Sequence, residues 1–312
     1  MKISCLLLVS IGISMASFSC SVEEGETASP AAGDSLKVRE KSPPISKISR
    51  FKIKPSDSKG ILVEEVVFDE KGKLITDIDY LFTGSNEIWE TTTYKYDDAG
   101  RQVEMRMSDK DGAEWLTTYE YAQNGKVKVE KVKEPGSSFV FNYTHDDKGS
   151  MIQSVKKDAK GKVLETSLSK PEYDENGKLL SQEDVVLDGK GKETEKMKLK
   201  FTYDENGNTI LLEEFDESGK LAETVNMRYN DNNQETESIS LVNGKFNIKM
   251  TSEYNQYGDL IREIGFEKSP DKATYIETFE FDKYGNEIKS WYESSSGEKY
   301  GERSEITYRD LR

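Results

Sequence analysis

From Phe68 onward the chain alternates. Ahead of Asp204, Met197, Leu199, Phe201 and Tyr203 share one parity, while Lys196, Lys198, Lys200 and Thr202 share the other. The same period of two runs through Phe139, Phe141 and Tyr143, through Val225, Met227 and Tyr229, and through Phe246, Ile248 and Met250. This is the pattern of strands with one dry and one wet face. No stretch after residue 56 carries a helical period.

The strands are punctuated by a Tyr-Asp-x-x-Gly signature. It is clean at Tyr96-Asp97…Gly100, Tyr173-Asp174…Gly177, Tyr203-Asp204…Gly207 and Phe281-Asp282…Gly285, and weaker at Phe68, Tyr121, Tyr143, Tyr229, Tyr254 and Tyr308. That makes about ten copies with a period of about 27 residues. An Asp after a strand can accept a backbone hydrogen bond two residues on, and Gly supplies the positive φ that closes the turn, so each signature predicts a hairpin tip. Second turns, such as Asp109…Gly112, Asp188-Gly189 and Ser294…Gly297, fall midway and leave about nine residues per strand.

The expected fold is therefore all-β, built from antiparallel hairpin repeats. About twenty strands at roughly 4.8 Å would make a sheet about 96 Å wide, too large to stay flat and open. A closed barrel of that size would have a bore too wide for side chains to fill. The pattern thus points to one curled or spiral sheet, or a flattened one whose halves pack face to face. Pro171 sits in a strand slot taken elsewhere by Phe201 or Tyr94 and predicts a bend or seam.

Composition narrows the setting. Apolar residues make up 34% and charged residues 33%, with a formal charge of −15. An acidic chain lacks the clustered cations that phosphate backbones need, which excludes nucleic acid as a partner. Residues 1–19 read as an export signal, with Lys2 ahead of an apolar run and small residues. Residues 20–55 hold four of the seven prolines and read as a flexible tether, leaving 56–312 as the repeat domain. Cys5 would leave with the signal, so the mature chain has no disulfide.

Two resemblances follow. Ser17-Phe18-Ser19-Cys20 resembles a bacterial lipobox, although that family prefers Leu where Ser17 stands. It implies a lipid on Cys20 and an outer-membrane or cell-surface location, against ordinary cleavage and secretion. Tyr96-Asp97-Asp98-Ala99-Gly100-Arg101 and Tyr173-Asp174-Glu175-Asn176-Gly177-Lys178-Leu179 resemble the YD repeat of RHS-type proteins, over roughly residues 60–310. That resemblance implies a spiralling β-shell. The toxin delivery of some RHS proteins does not carry over, because no Asp-Pro cleavage signature occurs. The Asn-Gly-Lys tip at Asn124 to Val127 also resembles MORN-type variants.

Catalytic signals are sparse. His145 is the only histidine and reads as a loop residue, which excludes triads and multi-histidine metal sites within one chain. Asp204, Asn206, Gly207, Asn208 and Glu213 match part of a calcium loop, but Thr202 occupies the first ligand position and strands flank it. No metal or cofactor is expected. The candidate ligand-binding residues are Trp89, whose parity opposes Tyr94 and Tyr96, and Tyr257 and Tyr284 beside turn glycines; Trp115 shares parity with Tyr119 and belongs to the dry face. The expectation is a non-catalytic, lipid-anchored envelope protein binding a protein or glycan partner. Its rivals are a purely structural or assembly factor and a carboxylate-dependent polysaccharide hydrolase.

Overall fold

The computed structural model describes residues 36–309, which form twenty strands and no helix. In chain order they are β1 (Ile45–Lys54), β2 (Asp57–Phe68), β3 (Leu74–Tyr80), β4 (Ile88–Tyr96), β5 (Gln102–Asp109), β6 (Glu114–Tyr121) and β7 (Val127–Glu134). There follow β8 (Ser137–His145), β9 (Met151–Asp158), β10 (Val163–Tyr173), β11 (Leu179–Asp188), β12 (Glu193–Tyr203), β13 (Thr209–Phe215) and β14 (Leu221–Tyr229). The last are β15 (Glu235–Val242), β16 (Lys245–Tyr254), β17 (Leu260–Phe266), β18 (Tyr275–Phe281), β19 (Glu287–Ser294) and β20 (Lys299–Tyr308).

Each strand pairs antiparallel with its neighbours in sequence, and β20 pairs with β1 from Ile45↔Tyr308 to Ile53↔Gly301. The sheet is closed: a twenty-stranded up-and-down barrel, not the curled or spiral sheet expected above. Two physical facts account for the correction. A strand lies inside the expected tether, because β1 begins at Ile45, and it supplies the partner that the truncated last copy at Tyr308 lacked. The bore also need not be filled. Among the described residues only Ile53, Val66 and Leu199 are buried hydrophobics, and the face shared by Val66 and Leu199 also carries many carboxylates, Ser, Thr and Tyr, so water can occupy it. Closure leaves no exposed edge.

The Tyr-Asp-x-x-Gly signature forms one rim of the barrel, where every even-numbered strand ends. Asp69 Oδ1 accepts from the amides of Lys71 (2.9 Å) and Lys73 (2.8 Å), the expected Asx turn. Gly100 closes its tip at φ +81°, and Asn233 takes the same role at φ 59°. A register shift beside each strand-end aromatic, for example between Lys95 and Tyr96, marks a β-bulge. The ring of that aromatic then ties its hairpin tip to the preceding one. Tyr96, Tyr203 and Tyr229 donate to the carbonyls of Leu74 (2.8 Å), Leu179 (2.6 Å) and Thr209 (2.9 Å), each at the start of the preceding strand. His145 occupies this strand-end slot on β8, opposite Met151, so it is a half-buried rim residue rather than part of a loop.

Pro171 does mark a weak point. The β9–β10 ladder stops at Leu168↔Gln153, five residues before Tyr173, whereas the corresponding β11–β12 ladder reaches Ser181↔Lys200, three before Tyr203. A residue without an amide hydrogen sits in the gap.

Candidate functional site

Register assigns every strand residue to one of two faces. One holds Leu199, Val66, Thr92, Thr117 and the rim aromatics, together with carboxylates that burial pushes upward. The other carries long, solvated lysines and arginines. The first is the inner wall and the second the outer.

The outer wall is a lattice of compensated charge. Lys95 pairs with Glu104 (2.9 Å), Lys131 with Glu120 (2.6 Å), Lys249 and Arg228 with Glu237 (2.8 and 3.0 Å), and Arg262 with Glu253 (2.8 Å). Hydrogen bonds from Lys95 and Lys131 hold Glu104 and Glu120 below the usual carboxylate range. A membrane-spanning barrel shows lipid an apolar band about 25 Å tall. This outer face has lysines at 196, 198 and 200 on a single strand, so the wall is built to meet water on both sides. A recess of about 360 Å³ beside these lysines, also lined by Glu183 and Phe215, is open and gathers no convergent chemistry.

The inner wall is uncompensated. Across β17 to β4 it presents Glu263, Glu277, Glu302, Glu64, Asp77, Asp79 and Glu90, against the two cations Arg50 and Lys52. Arg50 is taken by Glu64 and Lys52 by Glu302. Burial, with the charges of Glu64 and Asp79, pushes Asp77 up to about 6, and its Oδ1 is buried without a hydrogen-bond partner. Burial and Glu64 raise Asp79, and burial with Asp79 and Asp109 raises Glu90. Glu277 is raised by burial and then by Glu263, Glu287 and Glu302.

Beside these acids stands a row of tyrosines. Tyr275 lies over Gly265, where any Cβ would strike its ring. Tyr292 stacks on Tyr275 with centroids 5.5 Å apart and on Tyr300 at 5.0 Å, with interplanar angles of 22° and 23°. The Tyr275 hydroxyl donates to Glu263 (3.2 Å). Tyr300 is 40% exposed. Sequence reasoning missed this row, although Tyr292 and Tyr300 stand four residues either side of Ser296 in the Ser294…Gly297 turn, a symmetry that pairs them.

The three residues singled out from sequence are not brought together. Trp89 lies on the outer face near the opposite rim, 45% exposed, with Lys110 Nζ 5.7 Å from its ring. Tyr257 sits under the Arg39 guanidinium at 4.3 Å, and Tyr284 packs edge-on against Tyr308 at 5.4 Å, so other groups of the chain already contact both rings. Arg39 also binds Asp259 and donates to the Asp282 carbonyl (2.7 Å), laying residues 36–44 across the tyrosine rim. Cys20 and the signal lie outside the described residues. Among the described residues no cluster of three metal-ligating side chains occurs.

No family model matches the chain, and no curated protein does. Solved structures similar to it include the Photorhabdus luminescens Tc holotoxin pore (12% identity, 81% of this chain and 19% of that chain, TM-score 0.29). A TcdB2–TccC3 structure is similar at 14% identity, over 82% of this chain and 16% of that one, with TM-score 0.33. A porin-like protein from Bacteroides uniformis matches at 13% identity over 85% of this chain and 98% of that one, TM-score 0.37, and one from Bacteroides vulgatus at 12%, 68%, 98% and 0.37. The chain spans a fifth or less of the Tc toxin chains it matches.

Proposed function

We propose that this protein is a non-catalytic lipoprotein of the bacterial outer membrane, anchored through Cys20, whose barrel holds a partner against its inner wall. The observation that carries the reading is the contrast between walls: pairs such as Lys95–Glu104 and Lys131–Glu120 compensate charge on the outer wall, whereas among the described residues Asp77, Asp79, Glu90, Glu263 and Glu277 of the inner wall have no ion pair and the Tyr292 and Tyr300 hydroxyls no hydrogen bond. Groups kept desolvated without an internal partner cost stability and persist where a ligand uses them. Charge on both faces supports anchoring by a lipid rather than by strands in hydrocarbon. The tether joins the barrel at the tyrosine rim, where Arg39 fastens residues 36–44, so this rim would face the membrane. An enclosing β-shell is also what the RHS-type resemblance implies.

A hydrolase reading has one observation behind it. Glu214 and Glu223 oppose each other in register on the inner wall, and burial with the Glu223 charge raises Glu214. Glu223 is, however, engaged by the Ser240 hydroxyl (2.5 Å), and the open recess that Glu214 lines does not include Glu223.

The test is in-cell photo-crosslinking, with a photoreactive residue placed at position 300 on the inner wall or 198 on the outer, in wild-type and Cys20→Ala backgrounds. The expected result is lipid labelling that depends on Cys20 and a discrete adduct from position 300 alone. Adducts only from position 198, or none from 300, would leave the barrel a structural or assembly factor.

A further inference from the structure

We infer that the Tyr275–Tyr292–Tyr300 row and the carboxylates Glu263 and Glu277 form a binding site for a basic peptide segment, which presents arginine or lysine side chains to the inner wall. The inference rests on the inner wall being the binding surface and names its ligand.

Charge comes first. Elsewhere in the barrel, aromatic rings are covered by cations of the chain itself: Lys73 over Tyr96 (4.7 Å), Lys178 over Tyr203 (3.7 Å), Arg303 over Phe51 (4.3 Å). Among the described residues no lysine or arginine covers Tyr275, Tyr292 or Tyr300, although carboxylates surround them. Carboxylates gathered beside rings that no cation of the chain covers leave their charge to be met by an external cation.

Ring geometry decides between a peptide and a sugar. Both faces of Tyr292 are taken by its neighbours, so the row shows the bore ring edges and hydroxyls rather than the flat platform a sugar stacks on. Tyr275 gives its proton to Glu263. The Tyr292 and Tyr300 hydroxyls make no hydrogen bond among the described residues. Phenol oxygens beside carboxylates make an acceptor-rich surface, complementary to guanidinium and ammonium groups that only donate.

Extent selects a peptide over a small cation. From Glu263 on β17 to Asp79 on β3 the acidic surface crosses seven strands, about 29 Å at the usual strand spacing. That is the reach of an extended segment of roughly nine residues.

The experiment measures fluorescence anisotropy with full-length protein in detergent and a short labelled peptide alternating Arg and Ser. A Gln/Ser peptide is the control. The Arg/Ser peptide is expected to bind in a salt-sensitive manner. Glu263→Gln with Glu277→Gln weakens it about tenfold, and Tyr292→Phe with Tyr300→Phe about threefold, while Glu280→Gln on the outer face of β18 changes nothing. Thermal melting of each variant separates lost binding from lost fold, and the Phe pair keeps the stack intact. Equal binding of both peptides, or equal loss from Glu280→Gln, would overturn the proposal. An in-cell adduct at position 300 without any Arg/Ser affinity would overturn it too, and would leave the inner-wall reading standing.

Discussion

Asp77 and Glu104 are carboxylates two strands apart in one barrel, and their environments drive them in opposite directions. Glu104, on the outer wall, takes a hydrogen bond from Lys95 and has Arg106 3.6 Å away, which favours its charged form. Asp77, on the inner wall, faces Glu64 and Asp79 with one oxygen buried and unpartnered, which favours the neutral form. Sheet, turns and composition are shared, so the difference is which side of the wall the residue occupies. The outer wall satisfies itself. The inner wall keeps an unmet demand for hydrogen-bond donors and positive charge, and that demand locates function better than any single residue does.

The largest expected effect tests the assignment of faces. Leu199 and Lys198 are adjacent on β12 and point to opposite walls. Leu199 is 6% exposed, so Leu199→Ala should cost about 2 kcal/mol, towards the lower end for a core truncation because bore water can enter the space. Lys198→Ala should stay within about 0.5 kcal/mol. Urea unfolding of both variants measures this, and equal costs would show that the inner wall is as wet as the outer.

A smaller effect should carry a definite sign with pH. Burial, with the charges of Glu64 and Asp79, pushes Asp77 up to about 6 in the folded barrel, against 3.8 for an ordinary aspartate. The folded state therefore holds the proton more tightly, and the contribution of this group falls as pH rises from about 4 to about 6, then stays low. Asp77→Asn should stabilise the barrel above pH 6 by on the order of 1 kcal/mol, once screening by bore water is allowed for, and the gain should vanish towards pH 4. Thermal melts at the two pH values check it. A gain equal at both would assign the effect to packing rather than to charge.

The strands and tips were legible locally. Alternation in β12 separates Leu199 from Lys198, and Asp-x-x-Gly gives the turns, because both depend on residues a few positions apart. Closure was not, because it rests on Ile45 meeting Tyr308, and no local pattern joins positions so distant. Pro44 and Pro55 bracket β1 and gave it the look of a tether, although Ser49, Phe51 and Ile53 alternate with Ile48, Arg50 and Lys52 as in any strand. Two of the three tyrosines in the row were available from the turn that pairs Tyr292 with Tyr300; Tyr275 needed the β18–β19 register. Its acids needed the closed ring, because only closure puts Glu302 beside Lys52 and continues the surface onto β2 and β3. Trp89 is exposed on the face opposite Tyr94 and Tyr96, as its parity indicated, and that face is the outer wall.

The smallest effect sharpens the comparison most, because its pH dependence should be the mirror image of that of Asp77. Lys95 is well exposed, and a surface pair of this kind contributes roughly 0.2–1 kcal/mol. Arg106 remains near Glu104 after Lys95→Ala, so the loss should fall at the low end of that range. Glu104 is held below its ordinary value in the folded state, so its contribution is present above the unfolded carboxylate pKa and disappears as pH falls through the folded one. Lys95→Ala should therefore destabilise slightly at neutral pH and not at all in strong acid, where Asp77→Asn also has no effect. Added salt should erase the Lys95 effect and leave most of the Asp77 effect, because exposed pairs are screened more than half-buried groups. If both variants respond alike to pH and salt, the two walls share one electrostatic environment, and the case for an inner binding surface fails with them.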